Sequence, residues 1–359
     1  MSQSQEIIVY ISGEADADSA GIHIFELDIT TGAFTPINTV ITLANCGYLN
    51  FHPSGRFLLA AGAEGDNATI HSFVVDPTTG SLTALNYQPA DIESACYVAP
   101  DIAGQYVLAV TYGNPDGMPG SAYVYPMLPD GKIGERSDYQ QYEGKSVNPE
   151  RQERSHPHMI VQHPASQLMV VPDLGTDRLM LHHLDMETGK FNDRGFISLP
   201  AGAGPRHIAF KEQYLYVINE LNSSINVFTY DADSEKYDNL QMISTLPGDS
   251  SFTGENYPAD IHLHPSGKFL YGTNRGHNSI VVYCVAGDGR LTLTGHTPTQ
   301  GDWPRAFYID PTGKLLICAN KKTNDVFTFW IDNETGELTP TGHSVAVSLP
   351  NCVRCLMPA

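Results

Sequence analysis

A chain of 359 residues with a net charge of −20 would be repelled by nucleic acid and by an anionic membrane, so neither is expected as a partner. Its 41% hydrophobic and 17% charged residues supply a large core and exclude a disordered chain. The opening MSQSQEIIVYIS has neither a basic leader nor a long apolar run, which predicts a cytoplasmic protein without a signal peptide or membrane span.

The first alternating run, Ile7 to Tyr10, reads as a strand that lacks the partner expected before it. From there two turn motifs alternate along the chain. One follows an apolar strand: FHPSGRFLLAA from Phe51, APDIAGQYVLAV from Ala99, QHPASQLMVV from Gln162, FKEQYLYV from Phe210, LHPSGKFLYG from Leu263 and IDPTGKLLICA from Ile309, with CLMPA as a truncated last copy. Successive copies lie roughly 46 to 62 residues apart, close to the period of four-stranded propeller blades. The other motif is a hairpin turn, usually closed by glycine: ITTGAFTP from Ile29, PTTGSLTA from Pro77, LPDGKIGE from Leu128, METGKFND from Met186, ADSEKYDN from Ala232, AGDGRLTL from Ala286 and NETGELTP from Asn333. Both count to seven.

The stretch from Gly204 to Phe228 displays the unit most clearly. Arg206 and His207 open one strand, Lys211 to Gln213 bend the chain, Tyr214 to Ile218 return it, and a third run, Ile225 to Phe228, follows Asn219 and Glu220. At the chain ends, Asn351 to Met357 read as a first strand with nothing after it, the complement of Ile7 to Tyr10. Pairing the two closes the ring and leaves no open sheet edge. The prediction is therefore an all-β chain without helices: a seven-bladed β-propeller, one domain over residues 1–359, with one blade closed by the N- and C-terminal strands. Two long connections, Tyr112 to His156 and Leu246 to Pro258, should hang over the face that carries Arg206.

Aligning the copies gives two recurring slots. The slot before the innermost strand holds Gly47, Cys96, His158, Arg206, Ala259, Arg305 and Arg354, with His207 and Asp260 alongside. The slot where the second strand ends holds Ala63, Tyr112, Asp173, Glu220, Arg275 and Asn320, with Ser12 or Gly13 in the composite blade. Two antiparallel strands return the chain to its starting edge, so both slots belong to one mouth of the channel. Arginines gathered in an acidic protein point to a small anionic ligand, because like charges around a narrow opening are costly until an anion offsets them.

Other residues read as structural. His52, His163 and His264 share a slot with Asp101 and Asp310, which suits turn residues bonding local backbone. His262 and His264 form an HxH pair without a third ligand in view, so no metal is expected. The six cysteines are scattered, and the CxxC of Cys352 and Cys355 has no matching second half.

GAGPRHIAF, YLYVINELNSSINVF, ADIHLHPSGKFLYGTNR, PRAFYIDPTGKLL and SHPHMI with VPDLGTDR together resemble the propeller-type 6-phosphogluconolactonases, a lactonase family that also includes fungal carboxymuconate lactonizing enzymes. The resemblance spans nearly the whole chain and implies a seven-bladed ring. It implies His158, Arg206, Glu220 and Arg275 as the catalytic set, matching the histidine, arginines and glutamate proposed for the muconate enzymes.

The expected activity is hydrolysis of a sugar-acid lactone, 6-phospho-D-glucono-1,5-lactone first. His158 or Glu220 would be the base and the other its orienter or proton donor, with Arg206 and Arg275 stabilising the oxyanion or the substrate's anionic group. His207, Asp260, Asp173, Arg305 and Arg354 are the expected substrate-binding residues, the last two for phosphate. No metal or other cofactor is called for, and the expected partner is a small anionic lactone or sugar acid. Lactonization of a muconate-type diacid and a nonenzymatic interaction platform are the rival readings. Neither GxGxxG nor GxSxG occurs, which removes a dinucleotide loop and a seryl nucleophile from consideration.

Overall fold

The computed structural model describes residues 6–14, 21–40, 43–64, 67–90, 95–114, 117–231, 236–248 and 252–356. The described residues form strands and turns with no helix, and the strands build seven four-stranded antiparallel sheets. Six sheets are consecutive in the chain, within 44–89, 95–141, 161–198, 205–244, 257–298 and 304–346. The seventh joins Pro350–Leu356 to Glu6–Gly13, Gly21–Asp28 and Phe34–Val40, as expected from the two incomplete ends. The end of the truncated copy at 357–359, part of the hairpin at 232–235 and part of the long connection at 249–251 lie outside the described residues.

The described residues form two compact units: those within 1–11, 23–38 and 207–358 make one, and those within 12–22 and 39–206 the other. In the first, each of three apolar clusters is shared by two sheets. Ile7, Val9 and Phe25 pack with Leu315, Ile317 and Val353; Tyr216, Ile218 and Val227 with Leu270 and Tyr283; Tyr271 and Val282 with Phe307, Leu316 and Phe329. The second strand of each sheet is buried on both faces, as in Tyr214–Asn219 and Leu315–Asn320. The fourth is largely exposed, as in Leu338–Ala346. This gradient explains why the second strands read as continuous apolar runs.

The repeated turns also join neighbouring sheets. In the first unit His264 Nδ1 accepts from Ser266 N–H at 3.1 Å, and Nε2–H donates to the Gly313 carbonyl of the next copy at 2.9 Å. In the second unit His52 does the same with Ser54 at 3.1 Å and Gly104 at 2.9 Å. His52, His163 and His264 thus bond local backbone as expected, and His52 and His264 reach one turn further. Asp310 fills this slot differently, accepting from Leu315 N–H at 2.6 Å within its own turn. The glycine-closed hairpins serve a second junction. Gly289, at φ 79°, accepts from the Tyr216 hydroxyl at 3.0 Å, and a Cβ there would lie 2.3 Å from the Tyr214 ring.

Candidate functional site

The site is built on the turn that follows each second strand. Asn219, Asn274 and Asn320 pair across their hairpins with Ser224, Ser279 and Asp325, and their amides donate to those side chains at 2.9, 3.3 and 2.9 Å. Asp173, paired with Arg178, occupies the same position. The fourth residue beyond each, Asp177, Ser223, Asn278 or Asn324, is left-handed at φ 53–59°, so the four turns share one conformation.

This register corrects the second slot. Asp173 and Asn320 align with Asn219 and Asn274, whereas Glu220 and Arg275 align with Leu174 and Lys321. The amides and the Asp173 carboxylate turn back to hold backbone and hairpin; the position after them carries the charge in three of the four, at Glu220, Arg275 and Lys321. Lys321 was missed for that one-residue offset.

In the first unit, Glu220 and Arg275 form a buried ion pair, Oε2 to Nη2, at 2.6 Å, with side chains 3% and 7% exposed. Arg275 is further fixed by donation from Nε to the Tyr257 carbonyl at 2.8 Å and from Nη2 to the Pro258 carbonyl at 3.4 Å. Its guanidinium carbon lies 5.4 Å from the Trp303 ring centroid, and the Lys322 ammonium lies 3.5 Å from the same ring. Tyr257 stands beside Trp303 with centroids 5.9 Å apart. Sequence reasoning passed over Trp303 and Lys322, whose contact joins turns separated by a whole hairpin.

Glu220 follows the end of Tyr214–Asn219, and Arg206 is the second residue of the adjacent antiparallel strand Pro205–Lys211, so the two lie at one edge of that sheet. Arg206 is buried, and Arg305, second in Pro304–Ile309, is half-buried. Arg354 departs from the expected slot. Leu349 and Pro350 repeat the pattern of Trp303 with Pro304 and Gly204 with Pro205, a left-handed residue before the proline that opens the strand. Asn351 therefore takes the arginine position, and Arg354 lies three residues deeper. There its Nη1 donates to the Val353 carbonyl at 2.7 Å and its guanidinium lies 5.2 Å from the Tyr308 ring centroid.

Asp260 is likewise committed to the protein. One oxygen accepts from His207 Nδ1–H at 2.8 Å and Ile261 N–H at 3.0 Å; the other accepts from His262 Nε2–H and Phe307 N–H, both at 3.2 Å. Burial pushes this carboxyl up, but the charge and hydrogen bonds of His262 and His207 outweigh it and hold it well below the usual carboxylate range. Asp260 thus clamps three successive inner strands, with protein donors on both of its oxygens. The HxH pair is divided by the same contacts: His262 turns to Asp260, and His264 to Gly313.

The second unit carries His158. Its ring lies 4.9 Å from that of Tyr112, and its N–H donates to the Pro172 carbonyl at 3.0 Å. Its neighbour His156 is spent on structure, with Nδ1 on the Tyr112 carbonyl at 2.8 Å and Nε2 on Glu153 at 3.2 Å. Asp173 accepts from His156 N–H at 2.7 Å and Gly175 N–H at 3.0 Å, anchoring the loop that presents His158. Burial pushes the Asp173 carboxyl up despite these bonds. Through one of its oxygens it braces that loop.

Clefts of about 520 and 450 Å³ open elsewhere, one lined by Phe269, Cys284, His296 and Glu337, the other by Tyr142, Met180, His182 and Phe196. Neither includes Glu220, Arg275 or His158. Among the described residues no three His, Cys, Asp or Glu side chains gather as metal ligands.

Seven four-stranded sheets, with buried carboxylates, histidines and arginines at strand ends, have the make-up of a seven-bladed propeller. Residues 8–355 match the family model described as lactonase, 7-bladed beta-propeller, and the chain belongs to that family. It is 33% identical over 352 residues to the 6-phosphogluconolactonase of Bacillus subtilis (strain 168), covering 97% of this chain and 98% of that one. Identity to the Serratia proteamaculans (strain 568) 6-phosphogluconolactonase is 29% over 337 residues, covering 92% and 93%. Among solved structures, the periplasmic gluconolactonase of Pseudomonas aeruginosa superposes with a TM-score of 0.91 at 25% identity, over 99% of this chain and 100% of that one. That relative is periplasmic by name, so membership does not carry the cytoplasmic expectation. No helix among the described residues is long and apolar enough to cross a membrane.

Proposed function

We propose that the chain hydrolyses a sugar-acid lactone, with 6-phospho-D-glucono-1,5-lactone as substrate and 6-phosphogluconate as product. The names of the two bacterial relatives support the substrate. The observation that carries the chemistry is the ion pair of Glu220 and Arg275, a carboxylate and a guanidinium kept together out of bulk water.

In this reading water adds to the lactone carbonyl carbon while His158 takes one of its protons and Glu220 orients it. The charge that develops on the carbonyl oxygen falls to Arg206 and Arg275, whose guanidiniums act strongly where water is excluded. Collapse of the tetrahedral species breaks the bond from the carbonyl carbon to the ring oxygen, which takes a proton from His158. The second water proton leaves with ionisation of the new carboxylic acid, so the products are a carboxylate, a hydroxyl group and one proton. Arg305 and His207 contribute to binding the anionic substrate, Arg354 adds positive field from deeper in its strand, and Asp260 positions His207. The scheme uses no metal.

The test is to measure rates on freshly prepared phosphorylated and unphosphorylated gluconolactone and on a carboxymuconate, with and without a chelator. The phosphorylated lactone is expected to turn over fastest, at a rate the chelator leaves unchanged. Turnover of the muconate alone, or loss on chelation with recovery on adding a divalent ion, would contradict the reading.

A further inference from the structure

Trp303 occupies a position that penalises it. The residue before the strand-opening proline is left-handed in three sheets, at Gly204, Trp303 and Leu349, with φ of 64°, 68° and 41°. Glycine adopts this conformation without strain, whereas a bulky side chain does so only when its surroundings hold it there. Trp303 is held by its N–H on Asn278 Oδ1 at 3.0 Å and by its carbonyl on Lys321 N–H at 2.9 Å. The strained backbone puts a half-buried indole beside two cations, the Arg275 guanidinium that pairs with Glu220 and the exposed Lys322 ammonium.

A lysine lying on a tryptophan is in general a modest surface contact. Here it sits next to the buried ion pair, in a protein of net charge −20, where a cation offered to solvent is scarce. Its ammonium is a compact charge on a flexible stem, able to leave the ring for a phosphate oxygen. The ring would remain as an apolar wall for the carbon chain that carries the phosphate.

We propose that Lys322 and Trp303, beside Arg275, form the subsite for the phosphate-bearing end of a phosphorylated sugar acid, distinguishing it from the unphosphorylated analogue. This rests on the lactonase reading above. Lys322 supplies the countercharge and Trp303 the wall, while the reacting carbonyl lies toward Glu220 and Arg275.

The experiment uses the full chain with Trp330→Phe, which leaves Trp303 as the sole tryptophan of the two in the sequence. Its fluorescence is titrated with 6-phosphogluconate, gluconate and inorganic phosphate, before and after Lys322→Gln. Saturable response to 6-phosphogluconate is expected, with affinity falling about tenfold or more on Lys322→Gln and any response to gluconate unchanged. Kinetically, Lys322→Gln should raise KM for the phosphorylated lactone with little change in kcat, and leave the unphosphorylated lactone unaffected. Unchanged 6-phosphogluconate affinity, or equal losses on both ligands, would overturn the subsite while leaving the lactonase reading intact. If the wild-type chain hydrolyses neither lactone, that reading fails, and the titration decides the subsite alone: a Lys322-dependent response to 6-phosphogluconate keeps it, and no response removes it.

Discussion

Glu220→Gln is expected to lower kcat/KM for the lactone by roughly a hundred- to ten-thousandfold, the range over which a positioned acid or base contributes. The exchange keeps the side chain's shape and removes the charge that holds Arg275 at 2.6 Å. Arg275→Ala should cost a similar factor, because it removes the countercharge of Glu220 together with a stabiliser of the oxyanion. If the pair works as a unit, the double variant is no slower than the worse single one. Breaking a buried pair from one side costs about 3–5 kcal/mol of stability, whereas replacing both charges by neutral groups of similar volume is often close to neutral. Glu220→Gln with Arg275→Met should therefore regain much of the thermal stability lost by either single variant and none of the activity. Lactone turnover close to wild type in a folded Glu220→Gln protein would make the pair a strut between sheets.

The second large effect is expected at Asp260. Its two oxygens gather donors from His207, Ile261, His262 and Phe307, which belong to three inner strands. Asp260→Asn must leave donors facing an amide NH₂, and about 3–5 kcal/mol is expected to be lost. The dependence on pH has a definite sign. A carboxyl held below its unfolded value contributes stability that is fully present above that value, near 4, and is lost as pH falls toward the lower folded value. Thermal unfolding of wild type and Asp260→Asn should differ widely near neutral pH and converge only below about pH 4. Parallel curves down to strong acid would show that the carboxylate's charge does not hold these strands together.

Much of this architecture was readable because the chain repeats itself. The HPSG-like and glycine-closed turns marked the same two junctions in each blade, and the unmatched runs at Ile7 and Asn351 identified the composite sheet. The charged pairs were less accessible. Glu220 and Arg275 could be assigned to one edge from strand order, but their contact depends on side chains from neighbouring sheets. The slot alignment failed by one residue at Asp173 and Asn320, since Asp and Asn perform the same turn-anchoring task and Asp173 looks like a charge when read as text. Arg354 was misplaced because alignment followed arginine; the left-handed residue before proline, Leu349 with Pro350, sets the true register. Trp303 and Lys322 carried no signal of their own, as each is unremarkable until the turns that bear them meet.

A single turnover in ¹⁸O-labelled water, with protein in excess over freshly prepared 6-phosphogluconolactone, tests the central claim most directly. Direct attack of water on the carbonyl carbon predicts one labelled oxygen in the carboxylate of 6-phosphogluconate and none in the protein. Label in the Glu220 side chain, or product whose carboxylate carries no label, would contradict it.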